Sequence, residues 1–505
     1  MKNYAFCNSC RSVVEASHTE HDGKIFLLKN CPQCGETEAI LSNRPELYRK
    51  KRDFMADISY EACHLDCLEC EHKVPNIAFV ELTNRCNMNC PICITNVPSM
   101  GFQFEPDRNY FELIFKELSR LDPRPSVQLF GGEPTVREDL FDIIQLARSY
   151  GLNVRVVTNG LKLADRDYCA QLVRQGASIL ISFDGFERKQ YEIFRAMPEA
   201  FDLKLKALEN INELGMAKVV LMTVVSREQD DDEFKKLFAL CRKYRKRIRG
   251  IFLLPLVHMW SPDRLDYNPE RTTSEDVEKQ VERVIGGKVE FVPLGSFYIE
   301  AFKRILPLKT LPFVGVHPNC ESITLLVSDG EKYLPVSTFL KKGLFGFIGH
   351  VRKIGRTIQL KKNMGVVFKI RMYLVILNLI FRHFNFSAAV GETGCKAFLK
   401  YCRMIGKLAK GRKLKDVLRE DTIMKGALQV IVLPFEDYDT AEGERLKLCS
   451  SSFAFPDIET GKVRYVPVCA WEWHKKVIMK RIAEKYNKPG FTKGLERTDH
   501  VATAV

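Results

Sequence analysis

From Ile77 to about Ile285 the chain alternates short apolar runs with longer stretches whose apolar residues recur every three to four positions. The runs Ile77–Leu82, Val127–Phe130, Val154–Val157, Ser178–Ser182, Val219–Val225 and Ile251–Leu254 have the length and β-branched content of buried strands. Among them, Tyr110–Leu121, Asp139–Tyr150, Asp167–Gln175, Phe201–Leu214 and Glu233–Tyr244 carry helical spacing. Strands alternating with helices predict parallel β/α units. Six such units predict an α/β fold, a partial (β/α)6 barrel over residues 76–300, with functional groups at the C-terminal strand ends.

The pattern changes on either side. Residues 1–45 read as a small Cys-bearing metal module, and 46–75 as a second Cys segment. After the barrel, 301–340 predicts a short β unit, Gly315–Phe339, with Cys320 at its entrance. Residues 341–394 mix apolar and cationic positions, and their longest apolar run, Met372–Phe381, is ten residues long. As a helix it would rise about 15 Å, half the hydrocarbon core, so it predicts a surface-lying, lipid-contacting segment or a buried helix. In 395–480, Cys449 and Cys469 frame a predicted α+β hairpin region. The charged chain beyond Lys475 predicts fraying, with a flexible tail at 481–505.

Composition sharpens this reading. At 505 residues and 46% apolar content the chain can hold a barrel and satellites. The opening MKNYAFCNSC has no apolar core of a secretory signal, and the 17 Cys cluster as CxxC and CxxxCxxC. Both point to metal binding in a reducing, cytoplasmic compartment. The net charge of +14 is uneven: Lys332–Gly391 holds eleven Lys and Arg and no Asp or Glu. A basic segment interleaved with apolar runs suits a membrane surface, peripheral on its inner face, better than nucleic acid.

The Cys spacings carry the chemistry. Cys7, Cys10, Cys31 and Cys34 form two knuckles, the ligand set of one tetrahedral site for zinc or a single iron. Cys86, Cys90 and Cys93 follow the first strand in CxxxCxxC spacing; three thiolates hold three corners of a [4Fe–4S] cube and leave one iron open. Cys63, Cys67 and Cys70 repeat that spacing and predict an auxiliary cluster. With Cys320, Cys395, Cys402, Cys449 and Cys469 they make eight thiols, enough for two fully held cubes or for one cube and spare thiols. The helical Cys169 and Cys241 read as core.

An open iron beside a strand end, followed by Gly131-Gly132-Glu133-Pro134 after the second strand, resembles the radical SAM superfamily. One residue departs from its pattern, Ile92 standing where an aromatic usually precedes the third Cys. The resemblance implies S-adenosylmethionine (SAM) as cofactor, its amine bound by the GGEP element. It also implies Thr158, Asn159, Ser182, Asp184 and Thr223 around the cofactor, Ser182 on its carboxylate, and Gly250 and Ile251 along the adenine. Electrons would come from a donor such as ferredoxin or flavodoxin. More narrowly, CHLDCLECEHK, VELTNRCNMNCPIC, FGGEPTVREDL, RTTSEDVEKQVE, HPNCESITLLVSDG and the Cys449–Cys469 segment resemble the tetraether synthase family, with departures between Gly391 and Arg445. That resemblance implies coupling of unactivated lipid carbons through a C–C bond. A radical C-methyltransferase acting on a pterin-like heterocycle is the alternative. A metal-loaded nucleic-acid-binding module is the non-enzyme reading, disfavoured by the complete GGEP and Cys-loop pair.

Overall fold

The computed structural model describes residues 2–58, 63–67, 70, 72, 74–95, 100–260, 264–297, 316–357, 374–375 and 378–491. Met372, Tyr373, Ile376 and Leu377 of the run Met372–Phe381, and the end of the tail, 492–505, lie outside the described residues.

Residues 2–42 form an antiparallel meander of β1 (Asn3–Phe6), β2 (Val13–His21), β3 (Lys24–Cys31) and β4 (Gly35–Ser42). The six predicted strands are present as β5 (Ile77–Glu81), β6 (Ser126–Phe130), β7 (Asn153–Thr158), β8 (Ser178–Ser182), β9 (Val219–Val225) and β10 (Ile248–Pro255). Each pairs in parallel with the next. The intervening helices start where the sequence supplies caps: Asp107, Asp165 and Asp230 accept hydrogen bonds from first-turn amides. Their buried faces, such as Tyr110, Phe111, Ile114, Phe115 and Leu118, pack on the outside of the strands in one continuous core.

The rest of the chain completes this sheet. β11 (Val292–Pro293), β12 (Ser322–Ser328), β13 (Tyr333–Pro335), β14 (Gly426–Val432), β15 (Ser451–Pro456) and β16 (Val463–Pro467) all join it. β14 pairs in parallel with β10 at one edge, and β15 pairs in parallel with β5 at the other. Eight parallel strands therefore curve around the lumen, two more than the periodicity of residues 76–300 predicts. β14 ends beside Leu253, whereas β15 begins opposite Ile77 at the start of β5, so residues 433–450 cross the open side of the barrel. Gly315–Phe339 is not a separate unit, because β12 runs antiparallel to β14 along the same sheet.

The N-terminal module rests on this crossing segment. Asn3 Nδ2 donates to Glu442 (2.9 Å), His18 Nε2 meets the same carboxylate (2.7 Å), and Lys29 Nζ donates to the Asp439 carbonyl (2.6 Å). The expected fraying beyond Lys475 is corrected, since helix Val468–Tyr486 buries Ile478, Met479 and Ile482. Asn487 then takes an amide hydrogen from Glu105 and donates to Gln103. Apolar spacing at i, i+1 and i+4 outweighs the charge on the outer face of that helix.

Candidate active site

The Cys86–Cys93 loop leaves the end of β5 and is fastened to the turn after β6. The Gly132 amide donates to Thr83 O (2.7 Å) and the Glu133 amide to Arg85 O (2.9 Å). The approach is close enough to require glycine: a Cβ on Gly131, whose φ is +147°, would lie 2.5 Å from Thr83 O, and one on Gly132 would lie 2.3 Å from Arg85 O. Pro134 then opens a short 3₁₀ turn capped by Glu133.

Glu133 is 1% exposed. Oε1 accepts from the Thr135 amide (3.0 Å), the Thr135 hydroxyl (2.7 Å) and the Thr158 hydroxyl (2.7 Å), and Oε2 from the Asn159 amide (2.6 Å). Burial pushes its carboxyl up, against hydrogen bonds that favour the anion. Asn159 also reaches Asn87 in the Cys loop (2.7 Å). Beside it, Ser182 Oγ accepts from buried Lys204 (2.6 Å). Burial depresses the Lys204 ammonium to about 8, while Asp184 opposes. Asp184 itself is fully buried; burial would raise it, but Arg195, at 2.6 and 2.8 Å, holds it below the ordinary carboxylate range. Asp184 thus orients Arg195 towards the lumen.

A cavity of about 300 Å³ fills the lumen. Alternate residues of all eight parallel strands face it, among them Phe79, Phe130, Leu180, Met222, Phe252 and Phe453. Cys86, Cys90 and Cys93 lie on its wall together with Gly131–Glu133, Thr158, Asn159, Ser182 and Arg195. Cys320, Cys449 and Cys469 line the same cavity. Their surroundings include Arg445, which touches Cys320 Sγ (3.9 Å) and pairs with Glu436 (3.3 Å). Burial pushes Cys320 to about 12 and Cys449 to about 11, and raises Cys469, so a bound metal is what would make them thiolates.

Besides the groups beside the Cys loop and the carboxylates Glu321, Glu436 and Glu472, two polar side chains on adjacent strands interrupt the apolar wall. Gln128 and Arg155 are direct neighbours in the β6–β7 register, both facing the lumen. Gln128 Oε1 is buried without a partner, and Arg155 makes no hydrogen bond or ion pair among the described residues. Burial alone lowers the Arg155 guanidinium.

Other expected residues lie outside this cavity. Thr223 faces away from the lumen, and its hydroxyl donates to Phe183 O (2.8 Å). β10 starts at Ile248, so Ile251 points into the helix layer, fully buried, while Gly250 packs against Gln429 O below the cavity. Strand alternation turns Phe252 and Leu254 inward instead. Cys395 and Cys402 are exposed on helix Gly394–Ala409, in the basic region, and do not line the cavity with Cys449 and Cys469. Cys63, Cys67 and Cys70 gather apart from the cavity: Cys63 and Cys67 share a hydrogen bond that, despite burial, brings Cys63 down to about 6. The Cys63 amide donates to Gly443 O (3.1 Å) on the crossing segment. Cys7, Cys10, Cys31 and Cys34 come together, their sulfurs all within 4.8 Å, a tetrahedral ligand set for one metal ion. Arg155, Gln128, Arg195, Lys204, Arg445 and Glu436 were not anticipated; a charge within the apolar run of β7 was the one local signal.

Parts of the chain are similar to known proteins. Residues 80–241 match the radical SAM superfamily, and residues 2–43 match the HMPTM N-terminal zinc ribbon domain. The chain is 32% identical over 357 residues to a 7,8-dihydro-6-hydroxymethylpterin dimethyltransferase of Methanocaldococcus jannaschii, covering 67% of this chain and 70% of that protein. It is 32% identical over 152 residues to an Fe-coproporphyrin III synthase of Methanosarcina barkeri, covering 30% of this chain and 37% of that protein. A crystal structure of Streptococcus suis SuiB bound to S-adenosylmethionine covers 55% of this chain and 69% of its own, with a TM-score of 0.35 and 13% identity.

Proposed function

We propose that this chain acts on unactivated carbons of an alkyl substrate and joins lipid chains through a C–C bond. It belongs to the radical SAM superfamily and within it to the family of a pterin dimethyltransferase, a kinship that supports the second reading below better than this one. The enzyme uses SAM and a [4Fe–4S] cluster, with a mononuclear metal in the N-terminal ribbon. Cys86, Cys90 and Cys93 would hold the cluster, which together with bound SAM would supply one-electron cleavage of the sulfonium and so the means to take a hydrogen atom from carbon. Glu133, fixed by its four hydrogen bonds, receives the methionine amine, and Arg195 with Ser182 receives the carboxylate. The aromatic and aliphatic lumen orients an alkyl chain and excludes water from its reacting carbon. Joining two sp3 carbons takes two hydrogen abstractions, two SAM and two electrons from a low-potential donor such as ferredoxin or flavodoxin. Cys320, Cys449 and Cys469, on the same cavity, would hold an auxiliary cluster, and Cys63, Cys67 and Cys70 another.

The observation that carries this reading is the apolar wall shared by the two Cys triads. Reduced enzyme with SAM and a lipid bearing perdeuterated chains should release deuterated 5′-deoxyadenosine and a coupled lipid. Unlabelled deoxyadenosine with intact lipid would overturn it.

A second reading, methyl transfer to a pterin-like heterocycle, is favoured by the 357-residue similarity and by the Gln128–Arg155 pair, which could face a heterocyclic amide. It predicts methylated 7,8-dihydro-6-hydroxymethylpterin and no response to lipid.

A further inference from the structure

Outside the cavity, basic side chains converge between helix Gly343–Thr357 and helical residues 378–383. A cleft of about 340 Å³ there is lined by Lys342, Lys353, Arg382, His350 and His383. Among the described residues no carboxylate lines it, and Lys332–Gly391 itself contains none. Gly346 belongs to the same wall; a Cβ there would lie 2.8 Å from Lys342 Cβ and displace that lysine. His350 Nδ1 and His383 Nε2 lie 2.7 Å apart. His383 is 2% exposed, yet its Nδ1 is buried without a partner among the described residues. Burial, then the cations around them, depress both imidazoles. Three converging cations and an orphaned ring nitrogen describe a site short of an anion.

The rim of the cleft is apolar. Phe381 is half exposed, and its ring lies 5.9 Å from Tyr401, which joins it to helix Gly394–Ala409. On that helix Phe398 and Leu399 are 66% and 67% exposed. Large apolar side chains in water beside clustered cations fit a membrane interface, with stems inserted and charges at head-group level.

We propose that this cleft binds the phosphate of an anionic lipid head group while the apolar rim contacts the acyl region. The phosphate site rests on its own geometry; taking the phosphate from a lipid rests on the alkyl-substrate reading.

The test uses the full-length, anaerobically purified holoenzyme. Co-sedimentation with phosphatidylglycerol/phosphatidylcholine vesicles is compared for wild type, Lys353→Gln/Arg382→Gln and the equally charge-altered Lys206→Gln/Lys480→Gln. We expect at least about tenfold weaker vesicle binding in the cleft variant, less than about twofold in the control, and unchanged lipid-free SAM cleavage in both. Equal losses in the two variants, or no loss in either, would overturn the site. Loss of thermal stabilisation by inorganic phosphate with vesicle binding intact would overturn the lipid source. Displacement of vesicles by a short RNA at equal phosphate would overturn it too. If the cleft variant alone loses vesicles while lipid leaves deoxyadenosine release unchanged, the site stands and the alkyl-substrate reading falls.

Discussion

Gly132→Ala tests whether the Cys loop and the GGEP turn act as one unit. The added Cβ would lie 2.3 Å from Arg85 O and 2.8 Å from Arg85 C, with backbone rather than a yielding side chain on the other side. Relieving the clash means drawing the turn off the loop, which stretches Gly132 N–Thr83 O and Glu133 N–Arg85 O. Overpacking costs about 1–3 kcal/mol and each lost hydrogen bond about 1 kcal/mol, so about 2–5 kcal/mol of local stability is at stake. The damage falls on the relative position of Glu133 and the cluster loop. At about 1.4 kcal/mol per decade, that is about a 30-fold to several-thousand-fold loss of productive SAM binding. The assay is SAM titration of the reduced cluster by electron paramagnetic resonance, alongside 5′-deoxyadenosine release, with metal at the N-terminal ribbon counted as a check on global folding. Gly406→Ala is the control: nothing lies within 4 Å of its Cβ on helix Gly394–Ala409, and it should leave SAM binding alone. Wild-type SAM affinity in Gly132→Ala with the ribbon metal retained would refute the reasoning.

Other consequences are checked as directly. Arg155→Leu removes from the lumen a cation with no partner among the described residues, so the substrate-free protein should melt at a higher temperature; if Arg155 holds substrate, KM should rise about tenfold or more with SAM affinity unchanged. Glu81 is buried, and burial lifts its carboxyl to about 8. The folded chain therefore keeps a proton that the unfolded chain loses near 4.5, and stability falls as pH rises from there to about 8. Glu81→Gln should narrow the gap between melting temperatures at pH 6 and pH 9, and an unchanged gap would refute the burial argument. Cys31→Ser/Cys34→Ser should lose one metal ion and lower the melting temperature, since the ribbon grips Asp439 and Glu442 of the crossing segment. Iron and sulfide held by Cys86, Cys90 and Cys93 should stay, and their parallel loss would show that the two centres are not independent.

Much of the frame is local and therefore readable in the chain itself. Six apolar runs with helices among them, aspartates at the helix starts, and Cys at ligand spacing each act through neighbours within a few residues. The same holds for Gly131-Gly132, which mark a close backbone approach before its partner, Thr83–Arg85, is known. Lumen-facing residues are another matter. Side chains alternate along a strand, so a one-residue slip in register would exchange Ile251 and Phe252 between the helix layer and the lumen, and only the pairing with β9 and β14 sets that register. Gln128 and Arg155 stand 27 positions apart in the chain and become neighbours through the same kind of pairing.

The amino-acid sequence alone determined the parallel β/α core, the Cys loop and the metal-binding ribbon, because each depends on short-range spacing and caps. Only the tertiary structure decided that β14 and β15 flank the barrel, that Cys320, Cys449 and Cys469 share a cavity with Cys86, Cys90 and Cys93, and that Cys395 and Cys402 do not. Those placements arise from contacts between segments hundreds of residues apart, whose free energy comes from burying one apolar surface against another rather than from any pattern within either.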